Sequence, residues 1–114
     1  MKNMKDECLE YAKRVANELY QYYIGIPGGP DEDDLTIYDY INEEVLDYNI
    51  ILNSDKTLAG LRLYVTLGGP TCWIDTKLGE VVCSWGTERG EYKVDAAVCA
   101  EINAQMTDVL GFDW

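Results

Sequence analysis

The sequence predicts an α+β fold: a four-stranded antiparallel meander, with an N-terminal helix, a C-terminal helix and one short helix packed on one face. Three observations predict it. Stretches near both ends repeat their apolar residues every three to four positions, as a one-sided helix does. The middle repeats them every second position, as a half-buried strand does. Short turn signals separate those middle segments, so successive strands run antiparallel. The chain has 114 residues, enough for one packed core, and reads as a single domain over 1–114.

Residues 4–24 form the first predicted helix. Cys8, Leu9, Ala12, Val15, Ala16, Leu19, Tyr22 and Tyr23 share its apolar side, and Glu10, Lys13, Arg14, Asn17, Glu18 and Gln21 its polar side. Gly25-Ile26-Pro27-Gly28-Gly29-Pro30 stops it. Thr36 with Asp39 has the form of a capping box and starts a short helix over 36–44, with Ile37, Tyr38 and Ile41 as its buried side. The period then changes to two. In the strand over 45–53, Leu46, Tyr48, Ile50 and Leu52 alternate with Asp47, Asn49 and Asn53. Asn53-Ser54-Asp55-Lys56 is a turn. The second strand covers 58–67, with Leu61, Leu63, Val65 and Leu67 on one face, and Gly68-Gly69-Pro70 ends it. The third strand is 71–75. Thr76-Lys77-Leu78-Gly79 turns the chain, with Gly79 suited to a left-handed position. The fourth strand is 80–85, residues 86–91 read as loop, and 93–110 as the last helix. Val94, Ala97, Val98, Ile102, Met106, Val109 and Leu110 mark its apolar face, and Gly111 its end.

Composition narrows the function classes. No apolar run approaches the roughly 18 residues that a membrane-spanning helix needs. The polar start, Met1 to Glu10, lacks the apolar centre of a leader, so the expected compartment is the cytosol. The four cysteines, Cys8, Cys72, Cys83 and Cys99, form no C-x-x-C pair, and there is no histidine, so a zinc site is not expected. A reducing cytosol keeps all four as free thiols that serve as small apolar residues. Cys72 and Cys83 nevertheless stand where they can meet across a hairpin. Without histidine the commonest general base is missing. The only serines, Ser54 and Ser84, lie outside any G-x-S-x-G context, and no carboxylate pair stands out. We therefore expect neither catalysis nor a cofactor.

Charge is the most informative feature. The net charge is −12, and residues 31–50 alone carry Asp31, Glu32, Asp33, Asp34, Asp39, Glu43, Glu44 and Asp47 without a single Lys or Arg. Such a balance repels nucleic acid and anionic membranes and favours a basic protein surface. Asp31-Glu32-Asp33-Asp34 does not match an EF-hand loop, because Leu35-Thr36-Ile37 runs where its glycine belongs. Two readings remain for this run. One is a solvated loop whose charge favours the following helix N-terminus. The other is a partner surface in which these eight carboxylates mimic a nucleic-acid backbone, joined by Tyr38, Tyr40 and Tyr48. A separate region, Gly68, Gly69, Trp73 and Trp85, reads either as a tight connection with the two Trp paired on adjacent strands, or as the lining of a ligand pocket.

Gly68-Gly69-Pro70-Thr71-Cys72-Trp73-Ile74-Asp75-Thr76, a short turn, then Val81-Val82-Cys83-Ser84-Trp85-Gly86 resembles a hairpin of small proteins from phages and other mobile elements of gut Firmicutes. The resemblance covers roughly 45–86, after the same helix-first order, with Thr71 in place of the group's Asn. It implies a mobile-element protein in a bacterial cytoplasm, of the kind that inhibits host defence nucleases, as anti-CRISPR and anti-restriction proteins do. The combined expectation is a non-enzymatic inhibitor or adaptor that docks its acidic surface on a basic, nucleic-acid-handling partner. It binds neither nucleic acid nor membrane directly. The alternatives are a small-molecule-binding sponge built on the Gly68-Gly69 region, and a structural protein that self-associates through a sheet edge or helix face into a homo-oligomer.

Overall fold

Small side chains decide how the first helix sits. Cys8, Ala12, Ala16, Leu19 and Tyr22 fall on one line of α1 (Met4–Ile24) and are buried, whereas Leu9 and Tyr23 on its flanks are exposed. With Cys and Ala at three of the contact positions, the helix backbone comes close to the sheet below it. The computed structural model describes residues 4–111, without the side chains of Met4 and Leu110. The expected burial of Leu110, and the part of the polar start before Met4, lie outside the described residues.

A loop leads to α2 (Ile37–Glu44), followed by β1 (Asp47–Leu52), β2 (Leu58–Thr66), β3 (Thr71–Asp75), β4 (Glu80–Trp85), β5 (Glu88–Lys93) and α3 (Ala96–Leu110). The strands form one antiparallel sheet in the order β1-β2-β3-β4-β5. The α+β class and the antiparallel meander with helices on one face stand, but the four-stranded sheet is corrected to five strands. The fifth, Glu88–Lys93, lies largely in the segment that reads as loop. It carries no alternating apolar row, because Glu88, Gly90 and Tyr92 take its inward face, and at the middle position, Gly90, a side chain would run into the α1 backbone. The last helix accordingly begins at Ala96 rather than at Lys93.

The core lies between the helix layer and one sheet face. Leu61 and Leu63 of β2, Cys72 and Ile74 of β3, and Val81 and Cys83 of β4 meet Leu19 of α1, Ile41 of α2, and Val98, Ile102 and Met106 of α3 in one cluster. Turn chemistry sets the register. Asp75 Oδ1 accepts the backbone N–H of Lys77 and of Leu78, each at 2.9 Å, and Gly79 takes φ +69°. This pins Asp75 opposite Glu80, and from there Trp73 opposite Val82 and Cys72 opposite Cys83. Cys72 and Cys83, with Cα atoms 4.1 Å apart, are joined in a disulfide, while Cys8 and Cys99 are free and buried. The expectation of four free thiols is corrected on this point.

Candidate functional site

The acidic segment is held in place at both ends of its loop. Ile26 and Leu35 exchange backbone hydrogen bonds of 2.9 and 2.8 Å, closing a compact surface loop between α1 and α2. The Gly28 N–H donates to Asp34 Oδ1 at 3.3 Å across that loop. Gly28 has to be glycine, because a β-carbon there would stand 2.9 Å from the Glu32 carbonyl oxygen. Asp31, Glu32, Asp33 and Asp34 are all exposed. The loop runs straight into α2, where the Thr36 N–H donates to Asp39 Oδ2 at 2.7 Å and the Thr36 hydroxyl to the same oxygen at 3.3 Å, forming the capping contact that the spacing predicts.

Helix α2 turns its apolar side inward with Ile37, Tyr40 and Ile41. Tyr40 was expected on the partner surface, and Tyr38 both there and on the buried side of the helix; the structure buries Tyr40 and exposes Tyr38. Tyr40 is buried with its ring 5.2 Å from that of Tyr22, edge to face, and Tyr38 is half exposed. The reason is geometric. Positions 37, 40 and 41 share one face of a helix, and position 38 lies about 100° away from 37.

The carboxylates of α2 act on these tyrosines. Burial pushes the Tyr22 hydroxyl above its ordinary range, and Glu43, Glu44, Glu18 and Asp39 push it the same way. Burial, then Glu18 and Glu44, raise Tyr40 well above its ordinary value. Glu18, which reads in the sequence only as part of a polar helix side, therefore joins the acidic surface. It lies one helical turn before Tyr22 on α1. Among the described residues, none of the eight carboxylates of 31–47 forms an ion pair. Asp47 stands apart from the others. It begins β1 opposite Tyr64, on the sheet face away from the helices, and its Oδ1 accepts the Tyr48 N–H at 2.8 Å.

The expected pairing of Trp73 and Trp85 is not formed. Trp73 faces away from the helices with Asp75, Glu80 and Val82, whereas Trp85 shares the inward face with Val81 and Cys83. Trp85 lies beside Gly69, whose β-carbon position is 3.3 Å from the Trp85 Nε1, and it borders a shallow hollow against Glu10, Tyr11 and Arg14 of α1. Gly68 takes φ +88° in the open, with nothing near its β-carbon position. Gly68, Gly69, Trp73 and Trp85 therefore do not line one pocket. On the far face Trp73 has its own surroundings. The guanidinium carbons of Arg62 and Arg89 stand 5.1 and 5.6 Å from its ring centroid, and the Tyr64 ring lies 5.9 Å away. Arg89 also pairs with Glu91 at 3.0 Å.

Burial raises both free thiols above the ordinary cysteine range, with Glu88 and Glu7 adding to it at Cys8 and Asp75 and Asp95 at Cys99, so neither is an activated nucleophile. Among the described residues no group of three or more Cys, Asp or Glu is placed to hold a metal ion. No described helix is long and apolar enough to cross a membrane. No protein-family model, no curated protein and no solved structure matches the chain.

Proposed function

We propose that this protein is a non-enzymatic inhibitor or adaptor whose acidic surface docks on a basic, nucleic-acid-handling partner. The observation that carries the reading is the unneutralised charge around α2. The Asp31–Asp34 loop leads into a helix whose Asp39, Glu43 and Glu44, together with Glu18, raise two neighbouring tyrosines, and the loop and helix carboxylates form no ion pair among the described residues. Leaving so many carboxylates unpaired costs the fold self-repulsion. A basic groove would relieve that repulsion and would gain an electrostatically steered encounter. Tyr38 stands exposed among them as an amphipathic contact.

The reading is tested by retention on the immobilised protein from a bacterial lysate, with duplex DNA as competitor. The expected result is one or more basic nucleic-acid-binding proteins that DNA displaces and that a variant with Asp31, Asp33, Glu43 and Glu44 changed to their amides fails to retain. Equal retention by that variant, or retention that DNA does not disturb, contradicts it. A mobile-element inhibitor of a defence nuclease is the form of this function that the hairpin resemblance suggests.

A further inference from the structure

The sheet ends on one side in β1, and β1 lacks the features that ordinarily keep an edge strand solitary. Such strands are usually blunted by Lys, by Pro or by a cover of other elements. Asp47–Leu52 contains no Lys, Arg or Pro, and its only charge is Asp47 at its first position. Leu46, Tyr48, Ile50 and Leu52 are exposed by 61, 39, 37 and 52%. Yet Tyr48 and Ile50 lie directly opposite Leu63 and Leu61, which are fully buried. The difference arises because the helix layer stops short. Helix α1 lies over β4 and β5, and α3 reaches the core with Met106 but leaves Val109 half exposed at its rim. Between that rim and β1 runs a groove lined by Ile41, Val45, Leu46, Tyr48, Met106 and Val109. The opposite edge is built differently: β5 reads Glu-Arg-Gly-Glu-Tyr-Lys, a charged strand with α1 packed closely on it.

From this edge we infer that the chain forms a two-fold dimer through β1, the strands of two copies pairing antiparallel to join their sheets. The occupant is a second copy because an antiparallel edge pair about a two-fold axis is self-complementary. With the axis at Ile50, Ile50 meets its own copy and Tyr48 meets Leu52 of the partner subunit, so the apolar row faces an apolar row. Asp47 then falls opposite Asn53 of the partner subunit rather than another carboxylate. Leu52 of the partner subunit, beside Tyr48, reaches the mouth of the groove. Leu46, Tyr48, Ile50, Leu52 and Val109 expose roughly 400 Å² on each copy, about half of the ~800 Å² per partner of a standard dimer, so the pairing is that of a small, concentration-dependent interface. Helix α2 borders this groove with Ile41 and Asn42, and Asp47 lies at its side, but the inference rests on the pairing edge of β1 and not on the proposed docking function.

The test is the mass of the 114-residue chain by sedimentation or light scattering. The expected mass is twice 12.9 kDa for the native sequence, falling to 12.9 kDa for Ile50→Lys with an unchanged circular dichroism spectrum. Cross-linking keeps the idea falsifiable should Ile50→Lys fold poorly. Ile50→Cys, opposite its own copy, is expected to give a covalent dimer on mild oxidation, whereas Lys93→Cys on the β5 edge gives none. A native chain that stays monomeric up to its solubility limit overturns the inference. So does a dimer that persists in a folded Ile50→Lys, or a covalent dimer from Lys93→Cys and not from Ile50→Cys.

Discussion

Gly90 of β5 lies directly against the Cys8–Leu9 peptide of α1: a β-carbon at position 90 would stand 2.7 Å from the Cys8 carbonyl carbon and closer still to the Leu9 nitrogen. The contact is with backbone, which cannot swing aside as a flexible side chain does. Gly90→Ala must therefore move the helix or bend the strand, and we expect a loss of about 1–3 kcal/mol in urea-induced unfolding. Glu91→Ala, one position on and exposed, is expected to cost less than about 1 kcal/mol, because it removes only a surface ion pair with Arg89.

The same contact explains what could and could not be read from the amino-acid order. The first helix, the four longer-patterned strands and the last helix announce themselves through apolar spacing, and Gly79 and Gly111 mark a turn and a helix end where both take left-handed φ. β5 gives no such signal, because its inward face carries Glu88, Gly90 and Tyr92, and the middle one of these has to be empty of side chain. The misplaced tyrosines have another cause. On a helix as short as α2, apolar residues at 37, 38, 40 and 41 fit two faces, and only the position of Tyr22 on α1 selects between them. The separation of Trp73 from Trp85 was legible in principle. A turn of Thr76 to Gly79 between Asp75 and Glu80 sets Trp73 against Val82, and strand alternation then puts Trp85 on the other face. Of the candidate site, the loop carboxylates and the cap were readable. The contribution of Glu18 was not, because it comes from a different helix.

Alkaline pH should destabilise the fold through Tyr40 and Tyr22. Both are raised in the folded state above the ordinary tyrosine value of about 10. Above that pH the unfolded chain loses these protons while the folded one keeps them. The unfolded state then binds fewer protons, and stability falls as pH rises. Their contribution is fully present below about pH 10. Tyr40→Phe is expected to flatten the decline above that pH, as read from urea midpoints across a pH series, because phenylalanine has no hydroxyl to titrate.

Changing Glu43 and Glu44 together to Gln should relieve the negative field at both tyrosines. Tyrosinate absorbance in the folded protein is then expected to appear at lower pH than in the native chain. The same variant is expected to be more stable at low ionic strength by a few tenths of a kcal/mol, with the gain shrinking as salt is added. An unchanged tyrosine titration would place these carboxylates too far from Tyr22 and Tyr40 to act on them.

Thiol counting checks the cross-strand pair. The denatured, unreduced protein is expected to expose two reactive thiols, Cys8 and Cys99, and the reduced protein four. Peptide mapping without reduction should recover the Cys72 and Cys83 peptides joined to each other.

The most direct measurement is the affinity for the captured basic partner as a function of salt, for the native chain and for the variant with Asp31, Asp33, Glu43 and Glu44 changed to amides. The account predicts a dissociation constant that rises steeply with salt, and a loss of at least about tenfold, or 1.4 kcal/mol, in the variant at physiological ionic strength. A dissociation constant that ignores both salt and the four substitutions would contradict it.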